Sequence, residues 1–364
     1  MEKINLKKPN ILRLLLVVIV FVSAIYIRIT YFQQTGKDIY AYEKAISDLF
    51  AGINPYKWTI ESYSNPDDPG NHGYAYLPAI MYLNGFLYLI HLLSGISREV
   101  LWKIPVLLCD IGVGVILVKK LFKKDYWILM FGLLIWFFNP YFLLRSNYVF
   151  WDPIPVFIML LSLEFLEKDS VLSGAFYALS VAFKTFPVIL FPVFLIKSKN
   201  KLKFLTAGAL VALLISLPFL TSIQDFLYYI KGSLFVHGDR FIQGRPFLFY
   251  ISYYYKVELF QIIPFQVYSY LSMLGSFLII PILYFFLKIR DKYVLSLAAF
   301  LNFYLLTPVL NRTYTIWFLP VLILGIYHLV KHKMFLYYLI LSGYFVFYSW
   351  YLSQWKDGFH IWRP

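Results

Sequence analysis

Two charged groups in this chain could act together in a reaction: a lysine set deep in apolar sequence and a carboxylate at the start of an amphipathic segment. Lys184 lies inside the apolar run Val171 to Ile196, with Pro187 and Pro192 just beyond it. An ionisable side chain at membrane depth is costly, which makes it a candidate for function. The break Lys184-Thr185-Phe186-Pro187 can end one short helix near a membrane face and begin another. The ammonium would then sit in a cavity able to hold an anion such as a lipid phosphate. Snorkelling from a helix end to the interface is the plainer reading of the same lysine. Asp38 precedes Ile39 to Phe50, where Ile39, Tyr42, Ile46, Leu49 and Phe50 share one side and Glu43, Lys44, Ser47 and Asp48 the other. That spacing predicts a helix lying in the membrane interface. The Asp38 carboxylate can cap this helix by accepting a backbone N–H, or it can serve as a general base toward a hydroxyl at the membrane surface.

The elements that must position these groups are membrane helices. Of the 364 residues 60% are hydrophobic, 21% aromatic and 14% charged, more apolar surface than a water-facing globule buries. Counting segments able to cross about 30 Å of hydrocarbon gives about eleven spans, some short or broken. They lie near 11–31, 100–118, 126–144, 153–166, 171–184, 186–196, 203–220, 267–287, 293–309, 313–330 and 334–352. The net charge of +14 comes mostly from Lys and Arg between apolar runs, which set orientation and meet anionic headgroups, so nucleic acid is not an expected partner. Lys119 to Lys124, Lys168, Lys197 to Lys203, Lys288 to Lys292 and Lys331 to Lys333 then share one side with the basic N-terminus, the cytoplasmic side by the positive-inside rule. Making Leu77 to Leu93 a span would invert everything after it. Residues 32–98 are therefore read as one external loop with two membrane-lying helices, and 221–264 as a second external loop. The chain reads as one all-α, polytopic membrane domain over residues 1–364. Its first span is read as uncleaved, and the single cysteine, Cys109, as packing.

This topology gathers Asp38, His72, Arg98, Arg145, Asn147, Asp152, Lys184, His237, Arg240, Arg245 and Arg312 on the external face, with Tyr42 and Tyr76 as further substrate-binding candidates. Several cations with few carboxylates suit an anionic lipid substrate. Taken singly, the arginines are solvated loop cations, and Asp152 before Pro153 fits an ordinary helix start. Asp110, inside the second span, can cap a neighbour or pair with Lys103 or Arg98. The six histidines show no metal-ligand spacing, and no HExxH, CxxC, P-loop or Gly-x-Ser-x-Gly signature occurs.

In their order along the chain these pieces resemble the C-type glycosyltransferases, polytopic enzymes that take a sugar from a polyprenyl-phosphate donor on the external or lumenal side. The likeness begins with Asp38-Ile39-Tyr40-Ala41-Tyr42, Gly52-Ile53-Asn54-Pro55-Tyr56 and Tyr74-Ala75-Tyr76-Leu77-Pro78. It continues through Trp136-Phe137-Phe138-Asn139-Pro140, Arg145-Ser146-Asn147 with Asp152, and Lys184-Thr185-Phe186-Pro187-Val188. These stretches are similar to ones in GPI mannosyltransferase I and the family 87 mannosyltransferases. Asn311-Arg312-Thr313-Tyr314 with Trp317 and Pro320 loosely resembles their late Tyr-x-x-Trp-x-x-x-Pro element, with two residues rather than three between Trp317 and Pro320. The likeness covers residues 30–200 well and the rest loosely. Tyr40 stands where the GPI enzyme has the second Asp of an Asp-x-Asp, which favours the family 87 side and no metal requirement.

The resemblance implies a monomeric enzyme with Asp38 as general base, a polyprenyl-phosphate sugar as donor, a lipid- or glycan-linked acceptor, surrounding membrane lipids and no cofactor. The sugar would be a hexose, mannose by family likeness. Transfer would invert the anomeric centre, with Lys184 and the arginines stabilising the leaving phosphate. A transporter or flippase of a lipid-linked or anionic solute is the alternative; it calls for charges toward the midplane and repeated halves, neither of which the sequence displays. A glycan polymerase or ligase would call for a larger late loop than 221–264.

Overall fold

The computed structural model describes residues 11–32, 39–64, 73–145, 151–236, 242–255, 259–330, 333–354 and 361–362. The fold is all-α, and among the described residues five helices are long and apolar enough to cross a membrane: Ile11–Thr30, Arg98–Leu121, Lys201–Phe219, Gln266–Phe286 and Met334–Ser353. The helices are α1 Ile11–Thr30, α2 Ile39–Phe50, α3 Pro55–Ser64, α4 Ala79–Ser94, α5 Arg98–Leu121, α6 Tyr126–Phe137, α7 Pro140–Arg145, α8 Pro153–Phe165, α9 Ser170–Phe183, α10 Phe191–Lys197, α11 Lys201–Ser216, α12 Ile223–Ile230, α13 Phe247–Tyr255, α14 Leu259–Ile262, α15 Phe265–Leu274, α16 Ser276–Pro281, α17 Lys292–Leu306, α18 Leu319–Val330 and α19 Met334–Ser353. A 3-10 turn, Phe186–Leu190, leads into α10. Three very short strands, β1 Ile242–Gly244, β2 Val309–Leu310 and β3 Ile361–Trp362, form a sheet in the order β2-β1-β3, parallel between β1 and β2 and antiparallel between β1 and β3.

Local chemistry explains the helix boundaries. Asp125, Asp169, Asn200 and Asp291 cap α6, α9, α11 and α17 with side-chain oxygens that accept N–H bonds from the first turn. The segment 126–144 is broken rather than continuous, because Pro140 has no N–H to offer the preceding turn. Asn139 repairs the break from both sides: its Nδ2 donates to the Trp136 carbonyl at 2.9 Å and its Oδ1 accepts the Phe142 N–H at 3.2 Å.

Alternating helix directions are fixed by ion pairs. Lys120 meets Glu164 and Lys197 meets Glu167, both at 2.7 Å, while Lys292 at the start of α17 meets Glu167 at 3.8 Å. The basic connectors between α5 and α6, α10 and α11, and ahead of α17 therefore share one end of the bundle. Asp152 starts α8 and Lys184 comes directly after α9, so these two lie at the other end, about 20 Å away along the 13 residues of α8.

Two interior features hold the bundle together. Arg28 on α1 is 2% exposed and its Nε donates to the Asp110 carboxylate on α5. Its other nitrogens donate to the Ala24 carbonyl at 3.2 Å and the Phe137 carbonyl at 3.1 Å, and the guanidinium lies over the Phe142 ring at 4.4 Å. Asp110 therefore pairs with Arg28, a partner that the sequence reading does not offer; Arg98 is bonded to Glu43 on α2. Helices α9 and α11 approach backbone to backbone at Gly174, where a Cβ would overlap the Phe204 carbonyl. Gly174→Val should therefore cost at least about 1–3 kcal/mol by forcing the helices apart, measured as a lower unfolding midpoint of the detergent-solubilised protein.

The described residues of the region 39–94 hold three helices, α2, α3 and α4. Asn54-Pro55 ends one helix and also starts another: Pro55 opens α3, and Asn54 Oδ1 accepts the Tyr56 N–H at 3.1 Å. Tyr56 donates to the Tyr76 carbonyl at 2.8 Å, Thr59 to the Tyr74 carbonyl at 3.1 Å, and Tyr74 to the Leu77 carbonyl at 2.7 Å, which fixes the irregular stretch before α4. An apolar core of Tyr42, Ile46, Tyr56, Tyr74 and Met81 with Trp102, Trp151, Phe219 and Tyr229 seats these helices on the bundle.

The segment after α11 latches onto α3. Asn54 Nδ2 donates to Asp225 Oδ1 at 3.0 Å, Thr221 and Ser222 each donate to Oδ2 at 2.8 Å, and Gly232 lies against Tyr56. The bonds from Asn54, then Ser222 and Thr221, hold the Asp225 carboxyl below its ordinary value. A carboxylate depressed in the folded state stabilises above the ordinary aspartate value, about 4, and loses that contribution as pH falls through the lowered value. Hydrogen exchange across 221–236, corrected for intrinsic rate, should rise in that acid window. Asp225→Ala should show the faster exchange already at neutral pH, and equal exchange in both proteins at all pH values would remove the latch.

Candidate functional site

Asp152 occupies the position before α8 but makes no capping bond. The reason lies in the next three residues: Pro153 and Pro155 have no N–H, and the Ile154 N–H goes to the Trp151 carbonyl at 3.0 Å. Its carboxylate, 2% exposed, instead faces Lys184, whose Nζ lies 2.7 Å from Oδ1. The Trp317 indole N–H donates to the same oxygen. This replaces the reading of Asp152 as an ordinary helix start, and it gives Lys184 a specific partner where sequence offered anion binding or snorkelling. Lys184 retains 19% side-chain exposure and makes this one side-chain hydrogen bond among the described residues, so further N–H bonds remain to direct elsewhere.

Aromatic rings surround the pair. The ammonium lies 4.9 Å from the Trp317 ring centroid and 5.7 Å from that of Tyr314. Trp317 is stacked between Tyr314 at 3.8 Å and Phe186 at 4.4 Å. The Tyr76 hydroxyl lies within electrostatic reach of Lys184. Tyr42 packs 5.9 Å from Tyr76 and 6.3 Å from Trp151, the residue before Asp152. Tyr42, Tyr76, Asp152 and Lys184, far apart in sequence, thus gather at one end of the bundle, joined by Trp317.

The stretch from Thr307 to Thr315 that leads to Trp317 leaves the α-helical path and contains β2, and tyrosine hydroxyls donate to four of its carbonyls. Tyr351 donates to Leu310 at 2.7 Å, Tyr348 to Arg312 at 2.6 Å, Tyr304 to Tyr314 at 2.6 Å and Tyr344 to Thr315 at 3.0 Å. Non-helical backbone at membrane depth persists only with such partners. The Arg245 N–H donates to the Leu310 carbonyl at 3.1 Å, so the backbones of Arg245 and Arg312 converge on this loop. Both side chains are half-buried, and Arg245 Nε has no hydrogen-bond partner among the described residues. Asp38, His72, Asn147, His237 and Arg240 lie outside the described residues.

A cavity of about 350 Å³ lies along the side of the α9–α11 contact, with lining that includes Leu77, Pro78, Ala182, Phe204 and Gly208 and none of the cluster's own residues. Leu77 is adjacent to Tyr76 in the chain, and Ala182 precedes Lys184 by two residues. The Ser216 and Tyr229 hydroxyls, 2.8 Å apart, supply a polar edge.

Sequence reasoning misses Trp317 as a partner of Asp152, although it marks the Tyr314-Trp317 element. The available signal is an indole N–H, which needs an acceptor when buried. Among the described residues no group of three His, Cys, Asp or Glu side chains is arranged to hold a metal ion. No family model matches the chain, and no curated protein matches it at a significant level.

Proposed function

We propose that the protein is an integral membrane glycosyltransferase that moves a hexose, mannose by resemblance, from a polyprenyl-phosphate donor to a lipid- or glycan-linked acceptor. One observation carries this reading: Asp152, Lys184 and Trp317 come from three stretches on which the resemblance rests, and they meet at one end of the bundle. Chance likeness of unrelated stretches gives no reason for such a meeting. The apolar cavity along α9 and α11 suits the chain of a lipid substrate. The opposite end carries the basic connectors, which favours a cytoplasmic location for that end and an extracytoplasmic one for the cluster. Five of the eleven apolar segments hold a helix long enough to span, and the other six hold shorter helices.

The chemistry then runs as a single displacement. Asp38 takes the acceptor proton, the acceptor oxygen bonds to the anomeric carbon, and the bond from that carbon to the phosphate oxygen breaks with inversion. The phosphate leaves with the bonding electron pair. A phosphate ester is a good enough leaving group to need no carboxylic acid of the glycosidase kind. Charge building on it is met by the remaining Lys184 N–H bonds and by Arg245 and Arg312.

The test is incubation of the purified protein in vesicles with radiolabelled polyprenyl-phosphate mannose or glucose and a membrane-lipid extract. The expected result is label chromatographing with a new glycolipid from the mannose donor. Label that crosses the vesicle membrane still attached to its carrier would replace this reading with transport.

A further inference from the structure

Resting on that reading, we infer that the cavity along α9 and α11 seats the hydrocarbon chain of the acceptor, so that the acceptor is lipid-anchored and its chain begins at uncharged ester, ether or hydroxyl oxygens. The cavity is long and open to the bilayer. On α11 its lining runs from Phe204 to Ser216, about 18 Å along the axis, slightly more than one leaflet's half of the roughly 30 Å hydrocarbon core. Leu205, Ala209 and Ala212 line it and are exposed, so a chain can enter sideways from the membrane. The Phe204 end is closed: the Tyr177 and Phe204 rings pack on Phe194 at 4.7 and 5.7 Å, and Gly174 meets the Phe204 carbonyl.

The polar end decides which lipid fits. Membrane lipid tails are as apolar as the walls, so the walls place a chain without preferring it, and the preference comes from its head. At that end the Ser216 and Tyr229 hydroxyls, 2.8 Å apart, share one hydrogen bond, and neither makes another among the described residues. Whichever hydroxyl donates, the other keeps an O–H, and at membrane depth that O–H needs an acceptor from the occupant. Among the described residues no Lys, Arg or His lines the cavity, so a phosphate finds no counter-charge in it. The donor phosphate belongs instead with Lys184, Arg245 and Arg312.

The location ties the occupant to the reaction. Ala182 lines the cavity and Lys184 follows two residues later, at most about 7 Å away along the chain, so the head of a seated lipid lies at the catalytic end. Leu77 and Pro78, which follow Tyr76, cover the same end. The Tyr229 ring lies 5.3 Å from Tyr56, in the apolar core that also holds Tyr42 of α2. The loop assigned the base for the acceptor hydroxyl is therefore the one that covers this cavity.

Photolabelling of the full chain in phosphatidylcholine nanodiscs tests the assignment. The probes are a mannosyl-diacylglycerol with a diazirine in one acyl chain and a polyprenyl phosphate with a diazirine in its chain, mapped by peptide mass spectrometry. The glycolipid should label the α9 and α11 peptides around Ala178 and Ala209, and unlabelled glycolipid should compete where excess polyprenyl phosphate does not. Ala209→Phe and Ala212→Phe fill the lipid-exposed side of the cavity and should lower this labelling roughly 5- to 100-fold. Leu213→Phe, also exposed but not in the lining, should leave it unchanged. Tyr229→Phe combined with Ser216→Ala should lower it about fivefold. In transfer from polyprenyl-phosphate mannose to a membrane-lipid extract, the Ala→Phe variants should need correspondingly more extract for half-maximal rate, with the donor dissociation constant unchanged. Preferential labelling of the cavity by the polyprenyl probe, or a weakened donor constant in these variants, overturns the assignment to the acceptor. Labelling that is equal in wild type and variants marks passing bilayer lipid and overturns it as well. A wild type that shows the expected labelling but transfers no sugar keeps the cavity as a glycolipid site and overturns the glycosyltransferase reading on which its role as acceptor rests.

Discussion

Asp38→Asn leaves sugar transfer at about a hundredth of the wild-type rate or less, while donor affinity stays within about twofold. A positioned general base contributes about 10²- to 10⁴-fold, and a carboxamide of nearly the same shape cannot take the proton. This substitution separates the two roles open to the residue. Asn is as good a helix N-cap as Asp, so a residue needed only to start α2 would tolerate the change with no loss. The packing of α2 favours the catalytic role: this helix buries Tyr42 against Tyr74, Tyr76 and Trp151, which ties the start of the first loop to the Asp152 neighbourhood. Single-turnover transfer with saturating donor, compared with a donor titration, reads the two quantities separately. Unchanged turnover would remove Asp38 from the chemistry.

Arg28→Met and Asp110→Leu should each destabilise the protein by about 3–5 kcal/mol, since either leaves the other charge buried without its partner. Both side chains are at most 4% exposed, so water cannot take over the lost bond. The double variant should recover most of the loss, because an apolar pair of similar volume carries no desolvation cost. Transfer activity should recover with it, for Arg28 and Asp110 tie α1, α5 and the end of α6 together and take no part in the reaction. Unfolding midpoints of the four proteins in one detergent supply the cycle. A double variant as unstable as the worse single one would mean that the Phe137 and Ala24 carbonyls, not the ion pair, are what Arg28 chiefly serves.

Much of the architecture is legible in the sequence because apolar runs and basic connectors report burial and orientation without any tertiary knowledge. The segments expected near 11–31, 203–220 and 334–352 each contain a long apolar helix. The pairings are less legible. Asp110 is visible as a buried acid, but its partner Arg28 is 82 residues away near the end of an apolar run, where a cation passes for an interfacial anchor. Two opposite charges within separate spans are the signal. Asn139-Pro140 stands out as a motif, yet seeing the break it makes in the helix needs the rule that proline strands a carbonyl one turn back. The three strands are two or three residues long, too short for any periodicity to show. At the site, Lys184 and Asp152 are both conspicuous in the sequence, and their direct contact results from the antiparallel packing of α8 and α9. Trp317 joins them only because an irregular loop folds back, and no local pattern encodes that return.

The hydroxyls of Tyr344, Tyr348 and Tyr351 that support this loop all come from α19, the last of these helices to be synthesised. Asp38, Asp152 and Lys184 leave the ribosome long before it, so assembly of the catalytic end must wait until α19 is inserted. A nascent chain arrested just short of residue 334 would contain every residue assigned a chemical role and still lack the truss that sets Trp317 in place. Quality control that senses α19 would therefore also be sensing whether Trp317 can reach Asp152 and Lys184.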